Sequence, residues 1–213
     1  MDSEGKIIFP DRYLALMASE ILKKNKSRKI VYDIKCSNQL GQVIRENNGT
    51  PIMTKTGHSY IKSEISKSNA ILGGEMSGHI FYNDNWYGFD DGIFAALKLL
   101  EILSSKESTT HEVFNKFTQL FNTPEIKIAV EDEEKFEIVE QLKVKLKPEG
   151  YDSILIDGLR LENKDCWGLV RASNTTPSLI LRFEANTEQK LMEIQELFQK
   201  TLLEINKNLK FLN

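Results

Sequence analysis

Apolar positions recur along this chain with two different periods. After Pro10, residues Leu14, Met17, Ala18, Ile21 and Leu22 follow the three-to-four-residue spacing of one helix face. Residues 29–34 (KIVYDI) form a compact β-rich run. Ser37 stands where it can cap the next helix, and Asn48 and Gly49 break that helix ahead of a strand over 51–54. Residues 58–68 predict a third helix and residues 70–72 a third apolar strand, ending in Gly73 and Gly74. A short strand over 6–9 precedes the first helix. Asp90 and Asp91 suit the positive N-terminus of a helix over 93–103, with Ile93, Ala96, Leu97, Leu100 and Leu103 as its core face. A polar break at 104–110 and a short helical segment to about Leu120 follow.

Strands alternating with helices predict a three-layer α/β domain, its mixed sheet mainly parallel, over residues 1–121. From residue 122 the style changes. A half-buried strand at 125–130 leads into a helix that begins at the acidic run 131–134 and turns Ile138, Val139, Leu142 and Leu146 inward. Strands at 153–156 and 167–171 lie around a turn at Gly158, and residues 178–185 form the longest strand. Asn186 and Gln189 resemble a capping box for a last helix with Leu191, Ile194, Phe198, Leu202 and Ile205 buried. Residues 122–213 are thus expected as a smaller α+β domain, an antiparallel sheet with two helices.

The chain has 213 residues, 40% hydrophobic and 28% charged, enough for two units each with its own core. No apolar run approaches the about 18–20 residues of a membrane span, and neither that pattern nor a signal peptide is expected; the predicted location is the cytoplasm. Thirty-one acidic against 28 basic residues give a net charge of −3, which removes the general electrostatic reason to expect nucleic-acid binding. Cys36 and Cys166 have no ligand or CxxC spacing and read as free thiols. The acids at 131–134 point in different directions on a helix start, so no metal is assigned to them.

In a parallel sheet, ligands gather beyond the carboxyl ends of the strands. Those ends carry Lys35, then residues 55–58 (KTGH), then 75–79 (EMSGH). Glu75, Ser77 and His79 would present a carboxylate, a hydroxyl and an imidazole together, and a carboxylate accepting from vicinal hydroxyls is a natural sugar contact. The same Gly-rich composition also suits a plain turn. Lys35 would hold an anion or assist proton transfer, or be a solvated strand-end lysine. His58 suits acid–base work or polar surface. His111 reads as surface, and Trp86 and Trp167 as packing residues. Residues 171–177 (RASNTTP) place a guanidinium, three hydroxyls, an amide and backbone N–H groups in one turn, an inventory for cradling phosphate; a plain turn explains all of it except the arginine.

VYDIKCS, KTGHSYIK, GGEMSGHIFY, WYGFDDGI and GLVRASNTTPSLILRFEA together resemble the α-D-phosphohexomutases, most closely the bacterial phosphomannomutase/phosphoglucomutase type, over essentially the whole chain. Ser173-Asn174-Thr175-Thr176-Pro177 stands where related phosphoglucosamine mutases typically carry Ser-Gly-Thr-Glu-Pro, which favours the mannose/glucose branch. Family members have four domains, and this chain is similar to the third and fourth. The resemblance implies Lys35, His58, Glu75, Met76, Ser77, Gly78 and His79 as the substrate-binding set, Lys35 and His58 being possible proton-transfer assistants. It implies Arg171, Ala172, Ser173, Asn174 and Thr175 as the grip on the phosphate that is not being transferred. The implied reaction interconverts hexose 1-phosphate and hexose 6-phosphate through hexose 1,6-bisphosphate, with magnesium as cofactor. No TASHNP-like segment for the phosphorylated serine and no DGDGDR-like metal loop is found; family order puts both before Met1. The chain is therefore expected to be a C-terminal half, inactive alone, whose partners are glucose or mannose phosphates and the N-terminal half of the same enzyme. The alternative is a non-catalytic sugar-phosphate-binding or interaction module.

Overall fold

The computed structural model describes residues 1–26, 28–118 and 120–211, and the chain divides into two compact units, Met1–Thr118 and Gln119–Asn213. The change of pattern along the sequence places the boundary at residue 122. The strand Phe121–Asn122 (β5 below) pairs with the second unit's sheet, so Phe121 sits with that unit.

In the first unit, helix α1 (Pro10–Lys24) is followed by β1 (Lys29–Asp33), α2 (Asn38–Glu46), β2 (Thr50–Thr54), α3 (His58–Ser68), β3 (Leu72–Gly74) and β4 (Ile80–Tyr82). Helices α4 (Gly92–Ser104) and α5 (Thr110–Asn115) complete it. The strand order is β2-β1-β3-β4, with β1 parallel to both β2 and β3 and β4 antiparallel to β3. Alternation along β1 explains the layers. Ile30 and Tyr32 face a core shared with α1, α2 and α4, whereas Val31 faces Ile61 and Ile65 of α3. The middle strand is therefore buried on both faces, as a parallel strand between helix layers should be.

Several expectations change. Residues 6–9 form no strand: Phe9 is extended (φ −69°, ψ 149°) but leads straight into Pro10 at the start of α1. Gly73 and Gly74 lie in β3 and not in the loop after it. A Cβ on Gly73 would meet Ile65 Cδ1 at 2.7 Å and one on Gly74 would meet Leu14 Cδ2 at 2.7 Å, so the two glycines let helices on opposite faces close onto the backbone. The inward face of α4 is also different. Ile93, Leu97 and Leu100 are 78%, 60% and 61% exposed, and Ala96 is exposed too, while Ala95 is buried and Phe94, Leu99, Ile102 and Leu103 pack inward. Phe94 decides this, because it stacks on Trp86 (4.1 Å between ring centroids) and meets Tyr82 edge-on at 5.5 Å. The expected end of the short helix near Leu120 runs across Gln119, outside the described residues; α5 itself ends at Asn115.

The second unit comprises β5 (Phe121–Asn122), β6 (Ile126–Ala129), α6 (Lys135–Lys145), β7 (Asp152–Ile154), β8 (Leu159–Glu162), β9 (Cys166–Ala172), β10 (Ser178–Ala185) and α7 (Glu188–Ile205). Every pairing is antiparallel, in the order β5-β10-β9-β8-β7 with β6 also on β10. Leu159, Leu161, Val170, Leu179, Leu181 and Phe183 from the sheet pack with Ile138, Leu142, Ile194, Phe198 and Leu202 of the two helices. The cap of α7 is Thr187, whose hydroxyl accepts from Lys190 N–H, and not the Asn186/Gln189 pair. Asn186 instead donates its amide to Asp165. Among the described residues no helix is long and apolar enough to cross a membrane.

Two leucines test this description. Leu14→Ala, at a site with no exposure, is expected to cost about 2–5 kcal/mol in urea unfolding. Leu100→Ala should stay within about 0.5 kcal/mol of wild type, where the amphipathic reading would have made it a core loss.

Candidate functional site

Parallel pairing decides which loops meet. Asp33 lies opposite Thr54, and Tyr32 opposite Gly74, so the chain leaves β1, β2 and β3 at the same edge of the sheet, with β1 in the middle. The three loops expected to gather there do so, and two buried carboxylates join them. Glu75 accepts the Gly57 N–H through Oε1 at 2.7 Å. Asp33 accepts the Thr56 hydroxyl through Oδ2 at 3.2 Å, and the Met76 N–H and Cys36 thiol through Oδ1 at 3.1 and 3.0 Å.

The 75–79 loop is a tight turn in its own right. Gly78 N–H donates to Glu75 C=O at 3.0 Å and Glu75 N–H to His79 C=O at 2.9 Å. Gly78 has φ +102°, and a Cβ there would stand 3.0 Å from the Tyr13 hydroxyl, so both conformation and space call for glycine. The turn buries Glu75, half-buries Met76 and leaves Ser77 and His79 exposed. His79 Nδ1 lies 2.6 Å from Asp90 Oδ2. A carboxylate only accepts, so Nδ1 donates to Asp90, and Nε2 is the ring nitrogen that Asp90 does not engage. Lys35 is buried in the turn after β1, and His58 is exposed as the first residue of α3.

Burial holds the Glu75 carboxyl above the usual carboxylate range. The nearby Asp33 charge adds to the rise, while the Gly57 N–H, His79 and Lys35 act against it. A carboxyl raised in the folded state contributes stability below its unfolded value, about 4.3, and loses it as pH rises through the folded value. Glu75→Gln, neutral at every pH, is thus expected to match wild type in urea unfolding below about pH 4 and to be the more stable protein at pH 7.

In the second unit, β9 ends in Arg171 and Ala172, and the 173–177 loop connects it to β10. Ser173 is buried and its Oγ accepts from Thr175 N–H, Thr176 N–H and the Thr176 hydroxyl, folding the loop over its own side chain. Those two N–H groups, counted in the sequence as phosphate donors, are occupied by Ser173. Residues 174–177 form an exposed tip. Lys135, buried at the start of α6, donates to Thr176 C=O at 3.2 Å and to Asp132 at 2.6 Å, so the helix holds the loop from behind.

Arg171 is fixed by a residue outside the predicted set, Asp157. Its Nε donates to Asp157 Oδ2 at 2.8 Å, while Nη2, shielded from solvent, has no acceptor among the described residues. Asp157 reaches it because Gly158 turns at φ +86°, pressed so close to β9 that a Cβ would lie 2.2 Å from Val170 C=O. The Asp157-Gly158 turn signal was available; that it clamps Arg171 depends on the register of β8 on β9. Gly158→Ala is expected to cost about 1–3 kcal/mol in chemical unfolding, since neither the backbone angle nor the space admits a side chain.

Two units, one with loops gathered at the carboxyl edge of a parallel sheet and one with an arginine-based turn, define a modular α/β and α+β protein with polar sites on connecting loops. Residues 9–121 match phosphoglucomutase/phosphomannomutase alpha/beta/alpha domain III, and residues 125–200 match the C-terminal domain of that family. The chain belongs to the phosphoglucomutase/phosphomannomutase family. It is 47% identical over 201 residues to a phosphomannomutase/phosphoglucomutase of Pseudomonas syringae pv. tomato, covering 94% of this chain and 43% of that protein. A phosphoglucomutase of Neisseria meningitidis serogroup A is 47% identical over 208 residues, 97% of this chain and 45% of that protein. The crystal structure of a phosphoglucomutase/phosphomannomutase family protein from Burkholderia thailandensis superposes with a TM-score of 0.90 at 40% identity, over 98% of this chain and 44% of that one. The chain thus spans less than half the length of the relatives it matches.

Proposed function

We propose that this chain is the sugar-binding and distal-phosphate-binding half of a phosphohexomutase that interconverts hexose 1-phosphate and hexose 6-phosphate through hexose 1,6-bisphosphate. The observation that carries the reading is the gathering of the 55–57 and 75–79 loops around Glu75, with Oε1 already held by Gly57 N–H. That bond fixes the carboxylate, and its other oxygen accepts from sugar hydroxyls. Ser77, His79 and Lys35 complete the substrate set with Met76, Gly78 and His58. Of the ring nitrogens in this set, His79 Nε2 has an orienting carboxylate, Asp90, behind it.

Arg171, with Ala172, Ser173, Asn174 and Thr175, takes the phosphate that is not being transferred. Support comes from the Asp157 clamp and the unpaired Nη2 donor, which a phosphate oxygen would satisfy. An intermediate that must turn over and bind again in the opposite sense needs the sugar held by hydroxyls and the remote phosphate by a separate loop, and the two sets divide in this way. The phosphoryl-carrying serine and the magnesium belong, in this reading, to the N-terminal half of the enzyme. Among the described residues no three His, Cys, Asp or Glu come together as a metal site. Two buried cysteines outside any disulfide suit the reducing cytoplasm, where we place the enzyme.

Calorimetric titration of the chain with glucose 1-phosphate and mannose 1-phosphate tests the assignment. Binding is expected with both, and Arg171→Ala should weaken it by about tenfold or more. Equal affinity in wild type and Arg171→Ala would remove the phosphate-loop role. No heat with either sugar would sink the sugar-site role for this chain.

A further inference from the structure

The least expected group at the carboxyl edge is Asp33. It has no exposed surface, and a carboxylate buried at the end of a central strand is costly where an apolar side chain would pack without penalty. Its partners give the reason for keeping it. None is a core residue of a helix or strand: Cys36 is in the turn after β1, Thr56 in the loop after β2, and Met76 in the loop after β3. Thr56 is bonded in sequence to Gly57, and Met76 to Glu75. Gly57 N–H in turn donates to Glu75. The hydrogen bonds close a ring that runs Asp33, Thr56, Gly57, Glu75, Met76 and back to Asp33, with the loop peptide bonds as its other links.

The geometry points to Asp33 as the positioning residue of the sugar site: it sets where Glu75 stands by holding both loops that hold Glu75. This rests on Glu75 being the sugar-contacting carboxylate only for its functional consequence; the ring itself is independent of any ligand. The alternative, a polar plug in a strand end, has Asp33 stabilising β1 with no effect carried on to Gly57.

The two readings differ at Gly57. Amide hydrogen exchange on the chain as it stands, without ligand, compares wild type with Asp33→Leu, which keeps the branched shape in a larger side chain and removes both acceptor oxygens. Protection of the Met76 and Gly57 amides should fall by about tenfold or more, with the Val31 amide of β1 unchanged. Asp33→Asn, which still accepts from Met76 through Oδ1 and can donate to the Thr56 oxygen, should restore protection to within about threefold of wild type. Unchanged Gly57 protection in Asp33→Leu, or an Asn variant as damaged as the Leu one, overturns the assignment. Should Asp33→Leu lose protection everywhere, Thr56→Val cuts the ring at one point only, and Gly57 must then lose protection while Val31 keeps it; an unaffected Gly57 would again overturn it.

Titration with glucose 1-phosphate then separates the ring from the ligand reading. In the wild-type background Asp33→Leu, or Thr56→Val in its place, should weaken binding by about tenfold, and in a Glu75→Gln background by less than about twofold, since the effect passes through Glu75. Equal losses in both backgrounds overturn the positioning role. Lost Gly57 protection in a chain that takes up no hexose phosphate would leave Asp33 as the organiser of the loops and remove the sugar from the site.

Discussion

Parallel pairing on both sides of β1 is the constraint on which the first unit depends. A parallel neighbour must start at the same end of the sheet, so the loops that leave β2, β1 and β3 have no choice but to emerge together. The strand order β2-β1-β3 then makes the end of β1 the only position adjacent to both outer loops. Asp33 occupies it. Its two oxygens do for the loops what ladder hydrogen bonds do for the strands, and Glu75 closes the circuit through Gly57. The cost is two carboxylates in a poorly hydrated corner, visible in the raised position of the Glu75 carboxyl. Stability given up at a site is the usual sign that geometry there answers to something other than folding.

The second unit solves the same problem with antiparallel strands, which gather nothing at one edge by themselves. Its loop between β9 and β10 is shaped from within by Ser173 and held from behind by Lys135. The guanidinium at its base is set by a hairpin turn two strands' connection away, and Gly158 is what lets that turn sit against Val170 and Arg171. Fixing one edge of a planar guanidinium by a carboxylate leaves the remaining donors pre-aimed, which is the property that separates arginine from lysine in anion recognition.

Much of this was legible in the residue pattern, and the reasons for the exceptions are physical. α3 begins and ends where read, because the Lys-Thr-Gly sequence before His58 and Asn69 after Ser68, in the left-handed region at φ 54°, bracket it. The gathering of loops followed from reading βαβαβ correctly. β4, β5 and β8, of three, two and four residues, were not seen; the equally short β3 and β7 were, as an apolar run ending in Gly73 and Gly74 and a run before the Gly158 turn. The α4 face was misread because the helix is apolar nearly all round, so a 3.6-residue period fits two stripes equally and only the Phe94–Trp86 stack selects one. Thr187 outcompeted Asn186 as a cap because Asn186 was drawn to Asp165.

The site residues divide along the same line. Lys35, His58, Glu75, Ser77, His79 and Arg171 are conspicuous because their chemistry is visible in the one-dimensional string. Asp33, Thr56, Asp90, Lys135 and Asp157 are not, because each acts through a partner distant in the chain: 23 and 43 positions away for Asp33, 23 for Thr56, 11 for Asp90, 41 for Lys135 and 14 for Asp157. A residue that contacts a ligand is chosen for what it is, whereas one that positions it is chosen for where the fold delivers it. Reading the first kind from sequence requires chemistry alone. Reading the second requires the register of every strand between the partners, and that register is what the parallel order around β1 and the β8–β9 pairing supply.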